Sequence, residues 1–360
     1  MQLPPVRVLV VDDSLVMRSL LRMVLASEPA IELVGMATDG VQALELVERM
    51  RPELVLLDIE MPRMNGMEVL SELRAKRSPA KVIMCSTLTR RGARITLEAL
   101  ACGATDYVTK PTAQNGAADA VATLRRELLP KIKALFSQAG TDLPSLNMVA
   151  EDGLLRKGAE MVVIGVSTGG PAALEVLLSK LPGDFSVPIV IVQHMPQLFT
   201  AMLADRLNRE CALAVCEAAP GMRPEAGNVY IARGDWHLEF AQLAFGAGHA
   251  LRLSQSAPEH FCRPSVDVLF RSAARMFGDA VIGVVLTGMG SDGLEGCKAI
   301  RQAGGRVVVQ DRESSVVWGM PAVVADAGLA HRVLPLPAIA AELQRLCPKQ
   351  SSKVIVHAVH

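Results

Sequence analysis

Several short apolar runs of this chain end in residues able to do chemistry. Asp12 and Asp13 follow VRVLVV, Asp58 closes LVLLD, and Lys110 stands directly before Pro111 after the run DYVT. Three carboxylates converging at one edge repel one another unless a hard divalent cation lies among them, and Mg2+ retaining several waters suits such a set. One aspartate alone would read as an N-cap or turn residue; the combination points to a cation site. A second group lies further along. Gly165-Val166-Ser167-Thr168-Gly169 spells Gly-x-Ser-x-Gly, and Pro171 opens the helical pattern after it. Such a strand-to-helix turn can expose a serine hydroxyl over a helix N-terminus, where backbone N–H groups stabilise an oxyanion. Alone, the motif is equally a phosphate cradle or a simple cap. His194 ends the run PIVIVQ, however, and Asp292 lies in TGMGSDG after AVIGVVL. A serine nucleophile needs a base, and the base needs an acceptor to fix its tautomer.

Positioning these groups at common edges takes parallel sheets, whose ligands bind at the carboxyl ends of the strands. The first 124 residues alternate strand patterns at 6–11, 31–37, 54–57, 81–85 and 106–108 with helical patterns at 15–26, 40–49, 66–75 and 92–101. Ser14 is the expected cap of the first helix. This alternation predicts an α/β fold with a parallel, doubly wound sheet of five strands. A fifth helix begins near 117 and meets Pro130, which is expected to interrupt it. Residues 125–157 read as a linker, partly helical and partly turn-rich. Beyond it, continuous apolar strands at 161–165, 189–193, 280–287 and 306–310 predict a second parallel α/β sheet covered on both faces. Residues 213–262 read as a β insertion beside that sheet, and His237, His249 and His260 as surface or turn histidines. The expected organisation is therefore domains at 1–124 and 158–347, with a linker at 125–157 and a tail at 348–360.

Composition narrows the function classes. Of 360 residues half are hydrophobic, which supports two sizeable cores. Lys plus Arg, at 37, balances Asp plus Glu, at 37, and aromatics are only 3%. A neutral chain with few stacking platforms is a poor nucleic-acid binder. The seven cysteines form no Cys-x-x-Cys, which predicts reduced thiols and a cytoplasmic location. No window approaches the roughly 20 apolar residues of a membrane span, so an integral membrane protein is not expected. One competing motif remains. Gly288, Gly290 and Gly293 spell Gly-x-Gly-x-x-Gly, with Asp311 lying 23 residues beyond Gly288. That is the spacing of a dinucleotide fingerprint and the mark of a nucleotide-dependent oxidoreductase. Against it, Asp292 would place negative charge where a pyrophosphate must approach, and Ser167 and His194 would go unused.

The motifs VLVVDDS, LVLLDIEMPRMNGMEVL and TKP make residues 1–124 resemble the receiver domain of two-component response regulators, a flavodoxin-like fold. The resemblance implies that Asp58 accepts a phosphoryl group from a histidine kinase, and that Asp12, Asp13, Asp58 and the backbone carbonyl of Glu60 surround Mg2+. It further implies that Lys110 pairs with the phosphoryl oxygens, and that Ser86 and Tyr107 are the switch residues. MVVIGVSTGGPAAL, IVIVQHMP, CRPSVDVLF and VIGVVLTGMGSDGLEG then make residues 1–345 resemble the chemotaxis protein-glutamate methylesterase (CheB) family. That resemblance implies Ser167 as nucleophile, His194 as base and Asp292 as its orienting partner. Thr168 would adjoin the nucleophile, and the Met289 N–H would face the oxyanion. Expected substrates are glutamyl methyl esters and glutamines of methyl-accepting chemotaxis receptors, with Mg2+ in the receiver and no cofactor for ester hydrolysis. The receiver is expected to inhibit the esterase until phosphorylated. Cys262 is a departure: some members of the family carry histidine there. A second domain that only docks partners is the non-enzymatic alternative.

Overall fold

The computed structural model describes residues 4–111, 116–136, 158–243 and 248–348. Its first sheet holds β1 (Val6–Val11), β2 (Ile31–Ala37), β3 (Leu54–Asp58), β4 (Lys81–Ser86) and β5 (Asp106–Thr109) in the order β2-β1-β3-β4-β5, every pair parallel. Helices α1 (Leu15–Ala26), α2 (Gly40–Met50), α3 (Gly66–Ala75), α4 (Arg90–Ala101) and α5 (Gly116–Phe136) cover it. The expected cap is in place, with Ser14 Oγ accepting the Met17 N–H at 3.3 Å. Pro130 does not interrupt α5, contrary to expectation. Its cost of about 3 kcal/mol is offset because Leu128, Leu129, Ile132 and Leu135 are buried around it, each contributing about 1.5–3 kcal/mol. Residues 125–136, expected in the linker, thus pack on the first sheet's core. The rest of the expected linker, 137–157, and the tail from 349 lie outside the described residues.

The second sheet has the order β14-β13-β12-β6-β7-β9-β8 and is also parallel throughout. Its strands are β6 (Met161–Val166), β7 (Ile189–Gln193), β8 (Ala214–Glu217), β9 (Asn228–Ile231), β12 (Val281–Val285), β13 (Arg306–Gln310) and β14 (Arg332–Leu334). The expected β insertion is corrected here. β8 and β9 extend the main sheet, and only β10 (His237–Gln242) and β11 (His249–Ser254) form a separate antiparallel ribbon. Short strands carry the same periodic signal whichever sheet they join, so their destination is decided by packing. Helices α6 (Gly170–Leu178) and α7 (Gln197–Glu210) of this half pack against α4, and one apolar cluster runs across the two halves.

Candidate functional site

β6 and β7 are neighbours with Val166 opposite Gln193, so the next residues, Ser167 and His194, leave the sheet at the same edge. The His194 N–H donates to Val166 O at 3.2 Å, and the Ser167 N–H to Thr287 O at 3.0 Å. Two glycines permit this turn. Gly169 has φ +78°, and at Gly288 a Cβ would come within 2.9 Å of Ser167 Cβ and 2.5 Å of Met320 Sδ. Glycine at 288 therefore lets the loop after β12 press against the serine.

That loop delivers Asp292, which is 2% exposed. Its Oδ2 accepts from His194 Nε2 at 2.8 Å and from the Val266 N–H at 2.7 Å. Oδ1 accepts from Ser265 Oγ at 2.8 Å and the Asp267 N–H at 2.9 Å. The carboxylate thereby caps helix α8 (Val266–Phe277), whose positive end favours a negative charge. Burial opposes ionisation, but the hydrogen bonds to His194 and to the backbone prevail and hold the Asp292 pKa down at about 2. Being ionised, Asp292 accepts the Nε2–H of His194, which leaves Nδ1 as the basic nitrogen of the neutral ring. Nδ1 faces Cys262 Sγ at 3.7 Å. Burial lowers the basicity of His194, yet the bonds to Asp292 and Cys262 outweigh it and raise its pKa, so the neutral ring is a stronger base than a free imidazole. Among the described residues the Ser167 hydroxyl forms no hydrogen bond to His194. The structure thus joins His194 to Asp292 directly and brings Ser167 alongside through the backbone.

Three supporting residues were not anticipated. His237 is fully buried, not a surface histidine: its Nδ1 accepts the Ser265 N–H at 3.2 Å, bracing the residue that bonds Asp292. Asp267 accepts the N–H groups of Gly293 and Gly296 at 3.0 and 2.6 Å and so fixes the start of α9 (Leu294–Gln302). Gln193 donates through Nε2 to Ser167 O at 3.0 Å. The glycine-rich loop is accordingly occupied in holding Asp292, and Asp311 is bonded to Ser314 at 2.6 Å, which leaves the dinucleotide reading without its parts.

At the edge of the first sheet, carboxylate oxygens of Asp12, Asp13 and Asp58 lie within 4.8 Å of one another. Lys110 Nζ sits 2.8 Å from Asp12 Oδ2 and 2.7 Å from Asp58 Oδ1. Asp12 Oδ2 is buried with no aligned hydrogen bond, so the lysine satisfies it only as a nearby charge. The Glu60 side chain turns outward to Arg91 at 3.0 Å. Ser86 is buried and accepts from Thr96 Oγ1 at 2.7 Å. Burial, reinforced by Asp12 and only partly countered by Lys110, raises the Asp58 pKa to about 6. The folded chain therefore favours neutral Asp58. This contribution to stability is present below the ordinary carboxylate pKa and is lost as pH rises through about 6. Asp58→Asn should then stabilise the first half by about 2 kcal/mol at pH 7.5, with the gain shrinking towards pH 4. Denaturant titrations at the two pH values check this; a gain independent of pH would contradict it.

The two sites meet through β5. Thr168 Oγ1 donates to Asp106 Oδ2 at 3.0 Å, and Lys131 Nζ is 2.9 Å from the same oxygen. The Tyr107 ring stacks on Phe199 with centroids 4.7 Å apart, and the Lys131 ammonium sits over the tyrosine ring at 4.9 Å from its centroid. A cleft of about 490 Å3 is lined by Tyr107, Thr109 and Lys131 on one side and His194, Cys262 and Met289 on the other.

A carboxylate-and-lysine edge on one parallel sheet, joined to a serine turn and a His–Asp pair on another, defines a response regulator with an α/β hydrolase output. Residues 8–122 match the response regulator receiver domain, and residues 162–343 match the CheB methylesterase family. The chain belongs to the CheB methylesterase family. It is 44% identical to a protein-glutamate methylesterase/protein-glutamine glutaminase of Trichodesmium erythraeum, over 95% of this chain and 99% of that one. Identity to the protein of the same name from a Nocardioides species is 47%, over 98% of each chain. The catalytic domain of the Thermotoga maritima CheB methylesterase superposes with TM-score 0.51 at 42% identity, covering 52% of this chain and 98% of that domain.

Proposed function

We propose that the chain hydrolyses glutamyl methyl esters, and deamidates glutamines, on methyl-accepting chemotaxis receptors, under control of phosphorylation at Asp58. The observation that carries the reading is the His194–Asp292 pair beside the serine turn. With Nε2 held by an ionised carboxylate, Nδ1 is the nitrogen that accepts the Ser167 proton as the hydroxyl attacks the ester carbonyl. The resulting oxyanion takes backbone donors at the turn and the Met289 N–H. Methanol departs with the proton from His194, and water then releases the glutamate by the same route. An amide reacts likewise with loss of ammonia.

In the receiver, the acidic edge fits Mg2+: three hard oxygen donors converge there, and one buried oxygen lacks an aligned hydrogen bond. Asp12, Asp13, Asp58 and the Glu60 carbonyl would hold the ion, which neutralises charge on the incoming phosphoryl group. Asp58 supplies the nucleophilic oxygen, and Lys110 balances the product's charge. A chemotaxis histidine kinase is the natural donor, and a cytoplasmic location follows from such partners. No described helix is long and apolar enough to cross a membrane. Methanol release from methylated receptor membranes tests the reading, measured with and without a small phosphodonor and Mg2+. Release should occur and rise with phosphodonor; none under either condition would leave only a docking regulator.

A further inference from the structure

We propose that His194 and Cys262 together bind a thiophilic divalent cation, with Zn2+ as the type, and that its occupation switches the hydrolase off. The switching part rests on the function proposed above; the binding part does not.

The geometry points to this chemistry in three ways. First, His194 Nδ1 and Cys262 Sγ are 3.7 Å apart. A tetrahedral Zn2+ with ordinary bond lengths to nitrogen and sulfur spans about 3.6 Å between such a pair, so the cation needs almost no movement of either side chain. Second, the ring is already set for ligation. Its Nε2–H is given to Asp292 at 2.8 Å, leaving the Nδ1 lone pair directed at the thiol. A carboxylate behind a ligating imidazole is the usual outer support of a zinc site. Third, both residues line the cleft of about 490 Å3, which gives the cation an entry path and leaves two coordination positions for water. Neighbouring acids do not compete: Asp267 is engaged by Gly293, Gly296 and His260.

Ligation breaks the Cys262 S–H bond and releases that proton to solvent, while Zn–S and Zn–N bonds form; no electron changes hands. The Nδ1 lone pair, once committed to the metal, cannot receive the serine proton. Mg2+ is excluded because it prefers oxygen ligands in an octahedral shell. One chain thus sorts two cations, the hard one to its acidic edge and the soft one to its catalytic base.

The test uses the full-length, reduced protein. Titration with Co2+ should produce a thiolate-to-cobalt charge-transfer band that Asp58→Asn keeps and Cys262→Ser loses. Zn2+ should inhibit ester hydrolysis reversibly, with chelator restoring turnover. In Cys262→Ser the inhibitory concentration should rise at least about tenfold, each protein being normalised to its own metal-free rate. No thiolate band, a band that survives in Cys262→Ser, or an unchanged inhibitory concentration would each overturn the proposal. Absence of hydrolysis in the metal-free wild type would instead count against the proposed function, because the cobalt band reports the site without turnover.

Discussion

Ser167→Ala should lower methanol release by about four orders of magnitude or more, while phosphorylation of Asp58 proceeds at the wild-type rate. On the proposed mechanism the loss is large because nucleophile and base act as a unit: without the hydroxyl, His194 would have no proton to take. Thr168 is the only neighbouring hydroxyl in the turn, and it cannot substitute. It is buried, and its Oγ1 is committed to Asp106 at 3.0 Å. Asp292→Asn should be less severe, since the imidazole stays in place but loses the charge that holds Nε2 protonated. Comparing single-turnover rates of the two variants, with phosphodonor uptake as the control for folding, checks both. Near-normal release from Ser167→Ala would remove the serine from the mechanism.

The second large effect concerns the contact between receiver and hydrolase. Asp106→Ala combined with Tyr107→Ala should raise turnover of the unphosphorylated protein about tenfold, if closed molecules outnumber open ones by about ten to one. The stacked Tyr107–Phe199 pair contributes about 0.5–1.5 kcal/mol, and the buried bond to Thr168 about as much again. Together these shift the balance enough to expose the cleft. On the proposed function, a receptor helix about 10 Å across would need open access to the serine turn, whereas the slot walled by β5 and α5 holds only about 490 Å3. Phosphorylation, on the same proposal, would act on this contact: it would add charge beside Lys110 and draw on Ser86, and Tyr107 would then give up either its stack or its place. Turnover of the double variant without phosphodonor is the measurement. A rate equal to wild type would show that β5 does not restrain the enzyme, and a lower one that its contacts support the site.

How much of this was legible beforehand depends on whether local sequence or distant packing decides a position. Asp12, Asp13, Asp58 and Lys110 could be placed because each closes a strand whose apolar run is unmistakable, and parallel topology brings strand ends together. Ser167, His194 and Asp292 follow by the same logic from β6, β7 and β12. Pro130 misled because its cost is local while its compensation, the burial of Leu128 and Ile132, comes from a core assembled from the whole first sheet. From sequence His237 reads as a surface or turn histidine, and Cys262 only as a departure from the family pattern, for a related reason. Cys262 lies 68 residues from His194, in a turn whose only regular pairing is the Glu259–Cys262 bridge. Nothing in the local pattern announces where such a turn will point. The signal available for Cys262 was its departure from histidine in the motif CRPSVDVLF.

The tyrosine wedged between the halves has a consequence that runs opposite to the usual direction of signalling. Tyr107 belongs to the receiver, yet its stacking partner, Phe199, belongs to the hydrolase. Coupling of this kind is reciprocal: whatever phosphate does to the cleft, occupants of the cleft must do to phosphate, by the same factor in equilibrium. On the proposed function, a receptor helix seated at the serine turn would hold the halves apart and so favour the phosphorylated form of Asp58. Substrate would then prolong the signal that licensed its own processing, and the mark at Asp58 would persist on molecules at work and fade on idle ones.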